Sequence, residues 1–276
     1  MINVAVLITC HNRKQKTIKC LQALFKQKNI KNIKIKVFLV DDGSVDGTKQ
    51  AVKKLFKNVT IIQGNGNLFW AKGMYLAWDR CLKLNKKFDY YLWLNDDTFV
   101  YNTALRIMFK ALKTNTEIVT GSICDPITKR RSYGGSRLIN KFLFPFKHEP
   151  IDINGQTQEI DIFNGNLVLI PHAVYIKIGS IADYFEHAFA DFEYSLRAKK
   201  NNVIILLTSE HVGECERNPL NNINSDHNLF KKILSIFGRK RQPIKSWFRL
   251  CYKYGGILWP LHFFVGYTKT IIKIIF

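Results

Sequence analysis

Tyr90-Tyr91-Leu92-Trp93-Leu94 runs directly into Asn95-Asp96-Asp97-Thr98. Five apolar residues without a polar interruption predict a strand buried on both faces, as in parallel α/β sheets. Two adjacent carboxylates at its end repel each other and need a cation or donors to compensate them. Toward the amino terminus, residues 2–9 and 34–40 are similar runs, the second closed by Asp41-Asp42-Gly43-Ser44, and residues 59–63 make another. Residues 14–27, 46–57 and 71–84 between them carry helical spacing, with Asp46 near an N-cap. The order β-α-β-α-β-α-β predicts a doubly wound α/β sheet. Polar clusters follow three of the strands, at residues 9–13, 41–46 and 95–98. Open α/β sheets bind ligands at the carboxyl ends of their strands, so the three clusters are expected to converge.

Beyond residue 100 the pattern is less regular. Residues 102–113 read as a helix, and 117–124 and 161–170 as strands flanking a Gly/Arg-rich stretch at 129–137. A helix is expected at 187–200 and a strand at 203–207, before an Asn-rich segment at 219–226.

The 276 residues are 47% hydrophobic, enough for one or two cores. No 20–50-residue repeat and no apolar run of membrane-spanning length is present, which excludes solenoids and multi-span proteins. Cys10, Cys20, Cys81, Cys124, Cys215 and Cys251 form no CxxC pair, as expected of idle thiols in a reducing compartment. The first residues lack a basic n-region and a cleavage site, so they read as a strand, and the protein is expected in the cytoplasm. The net charge is +21, and it is uneven: residues 229–276 hold ten Lys/Arg and no Asp/Glu.

Asn95-Asp96-Asp97 is explained economically by a hard divalent ion with oxygen ligands that also bridges phosphates. A helix cap, the alternative, would need only one carboxylate. Asp41 and Asp42 either accept hydrogen bonds from a nucleobase imide or ribose hydroxyls, or are ordinary turn residues.

Taken in order, Thr9-Cys10-His11-Asn12-Arg13, then residues 40–48 (VDDGSVDGT), then Leu94-Asn95-Asp96-Asp97 resemble the nucleotide-sugar half of family 2 glycosyltransferases. Residues 64–74, Phe163-Asn164-Gly165-Asn166 and Ala190–Arg197 resemble further segments of bacterial members, so the likeness spans about residues 3–215. It implies the GT-A fold: a Rossmann-like, doubly wound mixed sheet, here with a basic amphipathic helical tail. Residues 1–100 would then be the nucleotide-sugar-binding half, 101–225 the acceptor-binding half, and 226–276 a membrane-associating tail.

The resemblance also implies roles. Thr9, His11 and Asp42 would surround the base of a uridine- or thymidine-linked donor, with Asp41 supporting their loop. Asp96 would face ribose and metal, and Asp97 would ligate Mn²⁺ or Mg²⁺ against the diphosphate. The family motif is often Asp-x-Asp, so which carboxylate takes the metal stays open. His211, after the strand at 203–207, falls where relatives place a further metal ligand. Asn67 and Asn95 join the donor-facing set. Trp70, with Phe69 and Tyr75, stacks on a sugar or belongs to the core. Asn164 and Asn166 would bind acceptor hydroxyls, with a β-turn as the alternative. Asp191 matches the catalytic base that deprotonates the acceptor in an inverting displacement. Ala190 replaces the Glu usually paired with it, although Glu193 is near in sequence.

Residues 229–276 also hold eleven aromatics, and GGILWPLHFFVGYT (255–268) is apolar but too short to span a bilayer. Trp, Phe and Lys together suggest an interfacial element attracted to anionic lipid. A helical hairpin packed on the body or on a second subunit is the alternative. The expected protein is therefore a peripheral enzyme at the inner face of the cytoplasmic membrane. It would transfer sugar to a bacterial polysaccharide or lipid-linked glycan, and a homodimer is compatible. A sugar nucleotidyltransferase would carry a Gly-rich loop after the first strand, which residues 9–13 lack. A nucleic-acid-binding protein has only the charge in its favour, with no accompanying motif.

Overall fold

A computed structural model describes residues 1–84, 86–140, 144–217, 235–239 and 241–275. The central sheet runs β10-β13-β6-β12-β4-β1-β2-β3. Its first half comprises β1 (Ile2–Cys10), β2 (Ile33–Asp41), β3 (Val59–Gln63) and β4 (Tyr90–Leu94), all parallel. Helices α1 (Lys14–Phe25), α2 (Thr48–Leu55) and α3 (Phe69–Leu82) connect them. The second half is mixed: β12 (Leu167–Pro171) lies antiparallel between β4 and β6 (Ile118–Cys124), and β13 (Ile205–Glu214) runs parallel to β6. Strand β10 (Gln158–Ile160) closes that edge, while β5 (Phe99–Val100) and β7 (Arg131–Tyr133) pair with β13 and β6.

Side chains on a strand alternate between faces, and here both faces are buried. On β4, Tyr91 and Trp93 join a core with Met74, Trp78 and Tyr194, whereas Tyr90, Leu92 and Leu94 join one with Leu21, Leu24 and Met108. The first core is covered by α3, α5 (His172–Ile178) and α6 (Ala190–Lys200), the second by α1 and α4 (Ala104–Ala111). This is why the strand sequences carry no alternation. At Gly73 a Cβ would stand 2.4 Å from Thr9, so only glycine lets α3 lie this close to β1.

A small sheet, β11-β8-β9 (Ile162–Phe163, Gly135–Asn140, Phe144–Pro150), packs under the carboxyl-terminal segment. Helices α7 (Ile244–Tyr254) and α8 (Trp259–Ile275) form a hairpin whose Trp247, Leu250, Cys251 and Tyr267 share a third core with Leu138, Ile162 and Leu196. All six cysteines are buried free thiols. Among the described residues, no helix is long and apolar enough to cross a membrane.

Beyond small end shifts in α2, α3 and α4, three sequence boundaries move in ways that bear on the site. The expected strand at 161–170 is broken into β11 and β12, because residues 164–166 turn aside to line a cavity. The expected helix at 187–200 starts at Ala190, since Phe189 takes a left-handed backbone (φ 72°) that a helix does not allow. The strand expected at 203–207 is β13 and continues to Glu214, so His211 lies within it rather than after it. The Asn-rich segment at 219–226 lies outside the described residues.

Candidate active site

The strand-end clusters meet around a cavity of about 500 Å³ at the carboxyl ends of β1, β2 and β4. Thr9, His11 and Arg13 come from β1 and the turn after it, Asp42 from the end of β2, and Asn95, Asp96 and Asp97 from the end of β4. Asn164, Gly165 and Asn166 line another part, as do His187, Ala188, Phe189 and Asp191 at the start of α6.

Arg13 Nη1 lies 2.7 Å from Asp97 Oδ2 and 3.2 Å from Asp96 Oδ1. One guanidinium thus serves two buried carboxylates, and burial, then the neighbouring Asp97, pushes Asp96 up to about 7. Thr17 Oγ1 also donates to Asp96, and the Cys215 thiol lies 3.7 Å from Asp97 Oδ1. Burial and Asp97 raise that thiol to about 12, so it stays protonated. A pair of hard oxygen donors with one shared counter-charge fits a divalent cation, which takes one or two carboxylates and completes its shell with phosphates and water. Among the described residues, no group of three or more His, Cys, Asp or Glu gathers around a common point. His211 does not line the cavity; its Nδ1 is 2.9 Å from Ser122 Oγ on β6.

Asp42 is an organiser of backbone. Its Oδ1 accepts the Gly66 N–H at 2.8 Å, and its Oδ2 accepts those of Leu68 and Phe69 at 2.9 and 3.0 Å. The segment that leads into α3 is thereby pinned against the end of β2. Asp41 is fully buried; its Oδ1 accepts the Ser44 N–H at 3.0 Å, while Oδ2 has no partner. Thr9 Oγ1 likewise has none and faces the same region as Asp42. Thr9 lines the cavity, so its open hydroxyl is a place for a ligand donor or a water, whereas Asp41 is not among the lining residues. His11 Nδ1 sits 2.5 Å from the Asp42 carbonyl oxygen, which holds the ring at the rim. Asn67 is exposed and outside the lining.

Trp70 Nε1 donates to Asn95 Oδ1 at 2.7 Å, and its ring stands edge-on to Trp93. Gly165 is required beside it, since a Cβ there would come 2.4 Å from the Trp70 ring. Trp70 therefore both lines the cavity and packs on the core. Asn166 is buried: its side-chain amide donates to Thr98 Oγ1 and its main-chain carbonyl accepts the Asn95 N–H, so it braces the acidic turn. Asn164 Oδ1 accepts the Gly134 N–H at 3.3 Å.

Asp191 occupies the first turn of α6. It accepts N–H groups from Gly165 (3.0 Å) and Phe192 (2.9 Å), yet burial outweighs them and raises its carboxyl above its ordinary value. A carboxylate of raised basicity in a cavity is suited to accept a proton. Glu193 cannot supply a second carboxylate there. Only 1% of its side chain is exposed, and it is taken up by Arg197, by Lys253 at 2.7 Å and by the Tyr254 hydroxyl at 2.7 Å.

Arg13 and Phe189 are among the lining residues that the sequence pattern does not single out, as are Tyr133 and His187. The signal for Arg13 was legible, as it is the sole fixed cation in the three strand-end clusters. Phe189 carried none, because its role depends on a backbone angle.

Residues 5–184 match the sequence model described as glycosyl transferase family 2. Comparison with curated proteins finds no match. Among solved structures, the chain resembles the mannosyltransferase PcManGT from Pyrobaculum calidifontis, in complex with GDP-Man and Mn²⁺. That match has a TM-score of 0.56 and 16% identity, over 85% of this chain and 64% of that one. It also resembles S. aureus TarS 1–349 in complex with UDP-GlcNAc, with a TM-score of 0.57 and 14% identity, over 91% of this chain and 71% of that one. The chain thus spans just under two thirds of the mannosyltransferase. At these identities the structural likeness establishes the GT-A fold alone.

Proposed function

Because this chain belongs to glycosyl transferase family 2, we propose that it is an inverting, metal-dependent transferase acting on a nucleoside diphosphate sugar. The observation that carries the reading is the pairing in one cavity of a buried acidic doublet, Asp96-Asp97, with a separate carboxylate of raised basicity, Asp191.

The base of the donor lies against Thr9, His11 and the Asp41–Asp42 turn, where the unpartnered Thr9 hydroxyl suits an imide N–H or a ribose hydroxyl. Asp97 and Asp96 would hold Mn²⁺ or Mg²⁺. When bound, the ion supplies Lewis-acid stabilisation of charge on the departing phosphate. Arg13 is already placed to neutralise negative charge at that point. Asp191 accepts the proton of the acceptor hydroxyl as its oxygen attacks the anomeric carbon, which inverts that centre. Trp70 borders the sugar, and Asn164 is positioned for acceptor hydroxyls, whereas Asn166 acts by bracing residues 95–98. His211 and Asn67 stand outside the cavity lining.

The tail supports a peripheral membrane location. Ile244, Phe248 and Tyr252 recur every fourth residue along α7, all exposed, and continue into Ile257 (95% exposed), Leu261 and Phe264 (66%). A contiguous apolar stripe among Lys and Arg, with no acid after residue 229, fits an anionic bilayer surface at the cytoplasmic leaflet. The acceptor is then a polysaccharide precursor or lipid-linked glycan reached at that surface.

Transfer assays on two variants test the reading. Asp191→Asn keeps donor binding and loses turnover by roughly 10²–10⁴-fold, whereas Asp97→Asn loses both. Near-full turnover by Asp191→Asn would overturn the assignment of the base.

A further inference from the structure

Asp191 sits in a segment, residues 184–193, that carboxyl-terminal residues hold along its length. Arg249 donates to the Tyr184 carbonyl at 3.3 Å and lies 4.7 Å from the centre of its ring. Arg239 pairs with the Glu186 carboxylate at 2.8 Å, and its carbonyl accepts the Ala188 N–H at 3.3 Å. The Trp247 ring stands 5.4 Å from that of Phe189. Lys253 Nζ and the Tyr254 hydroxyl each donate to Glu193 Oε1 at 2.7 Å, while Arg197 donates to Oε2 at 3.0 Å. Arg239, Trp247, Arg249, Lys253 and Tyr254 all lie beyond residue 184, where the family match ends.

Local structure alone does not fix this segment. Phe189 takes φ 72°, and among the described residues no side chain caps α6. A bulky residue stays in that backbone region only where its surroundings over-determine it. Glu193 shares the first turn of α6 with Asp191, and 1% of its side chain is exposed. A carboxylate so buried is unfavourable without charged or hydrogen-bonding partners. Lys253 and Tyr254 therefore fix where that turn lies relative to α7. The donor half is held differently: Asp96 and Asp97 by Arg13, and the Asp42 carboxylate by N–H groups of Gly66, Leu68 and Phe69.

We propose that the carboxyl-terminal hairpin positions the base, with Glu193 as the residue through which Lys253 and Tyr254 set the place of Asp191. The inference rests on the transferase reading and adds positioning residues to it. Glu193, Lys253 and Tyr254 touch no reacting atom and act through Asp191, so their loss falls on turnover and leaves donor binding intact. Arg239 also lies 4.8 Å from the centre of the Phe69 ring, in the segment pinned by Asp42. Lys253 is for that reason the cleaner position to change.

Steady-state transfer by the full chain, together with amide hydrogen exchange, tests this. Lys253→Met is expected to lower kcat by at least about tenfold. Donor KM, and the rise in Tm given by nucleotide sugar with Mn²⁺, stay at native values. Tyr254→Phe gives a smaller loss, and Lys253→Arg restores most of the rate. In an Asp191→Asn background Lys253→Met costs nothing further, because it acts through a base already removed. Exchange at residues 184–193 quickens in Lys253→Met, while residues 64–70 keep native protection. Native kcat in both Lys253→Met and Tyr254→Phe overturns the proposal, as does an equal loss by Lys253→Met with and without Asp191, or a parallel loss of donor binding. Unchanged exchange in a chain that transfers sugar also sinks it and leaves the transferase reading in place. If exchange responds as expected while the native protein transfers no sugar from any donor, the transferase reading fails and the hold of the hairpin on residues 184–193 stands.

Discussion

Arg13 Nη1 donates to Asp97 Oδ2 at 2.7 Å while remaining within 3.2 Å of Asp96 Oδ1, so the guanidinium after β1 neutralises the doublet after β4. Removing it leaves two buried carboxylates facing each other. Arg13→Ala is expected to lower Tm, more at pH 8 than at pH 5, where Asp96 is protonated. Thermal unfolding at the two pH values checks this, and added Mn²⁺ should recover part of the loss.

Asp96 carries a stability cost of its own. Its folded pKa, about 7, lies above the ordinary value, so the folded state holds that proton more tightly than the unfolded chain. The associated stability is fully present below the unfolded pKa and is lost as pH rises through about 7. Asp96→Asn is therefore expected to raise the metal-free Tm at pH 8, by about 2–4 °C per kcal/mol recovered, with a smaller gain at pH 5 that vanishes only below the unfolded pKa. Calorimetry at both pH values measures it.

Asp191 has its carboxyl raised by burial. The acid limb of kcat should then sit above the ordinary aspartate value of about 3.9, since the base must be ionised to work. A pH–rate profile with saturating donor and acceptor reads this limb directly. In Asp191→Asn the residual rate should lose it.

Asp42→Ala frees three backbone N–H groups at Gly66, Leu68 and Phe69. The expected loss is on the order of 2 kcal/mol in stability, together with weaker donor binding, because the freed segment borders the cavity. Denaturant unfolding and donor titration check the two effects separately.

Gly165→Ala drives a methyl group into the Trp70 ring, and the expected cost is about 1–3 kcal/mol. Fluorescence-monitored unfolding measures it.

Much of this arrangement was legible in the chain. The runs at β1, β2 and β4 announced themselves because both faces of each strand are buried, which leaves no polar alternation to confuse them with surface strands. Convergence of the three polar clusters followed from parallel topology alone. Local pattern failed where tertiary contacts override it. Residues 161–170 are strand-like on either side of Asn164-Gly165-Asn166, and Gly165 must yield to Trp70. Phe189 reads as the interior of a helix, yet its backbone is turned into the left-handed region against Trp247. Asp42 reads as a ligand for a base, and its carboxylate also holds backbone, a function set by where residues 66–69 return in space. The pairing of Glu193 with Lys253 and Tyr254 links residues far apart in sequence and had no local sign.

The central claim is that the doublet after β4 binds a nucleoside diphosphate sugar through a divalent ion. A thermal-shift screen of nucleotide sugars, with Mn²⁺, with Mg²⁺ and with chelator, tests it most directly, since a bound donor stabilises the fold by mass action. The account predicts a metal-dependent rise in Tm with one nucleotide, abolished by chelator and by Asp97→Asn. An unchanged Tm with every nucleotide sugar in the presence of metal, or an equal rise in chelator, would contradict it.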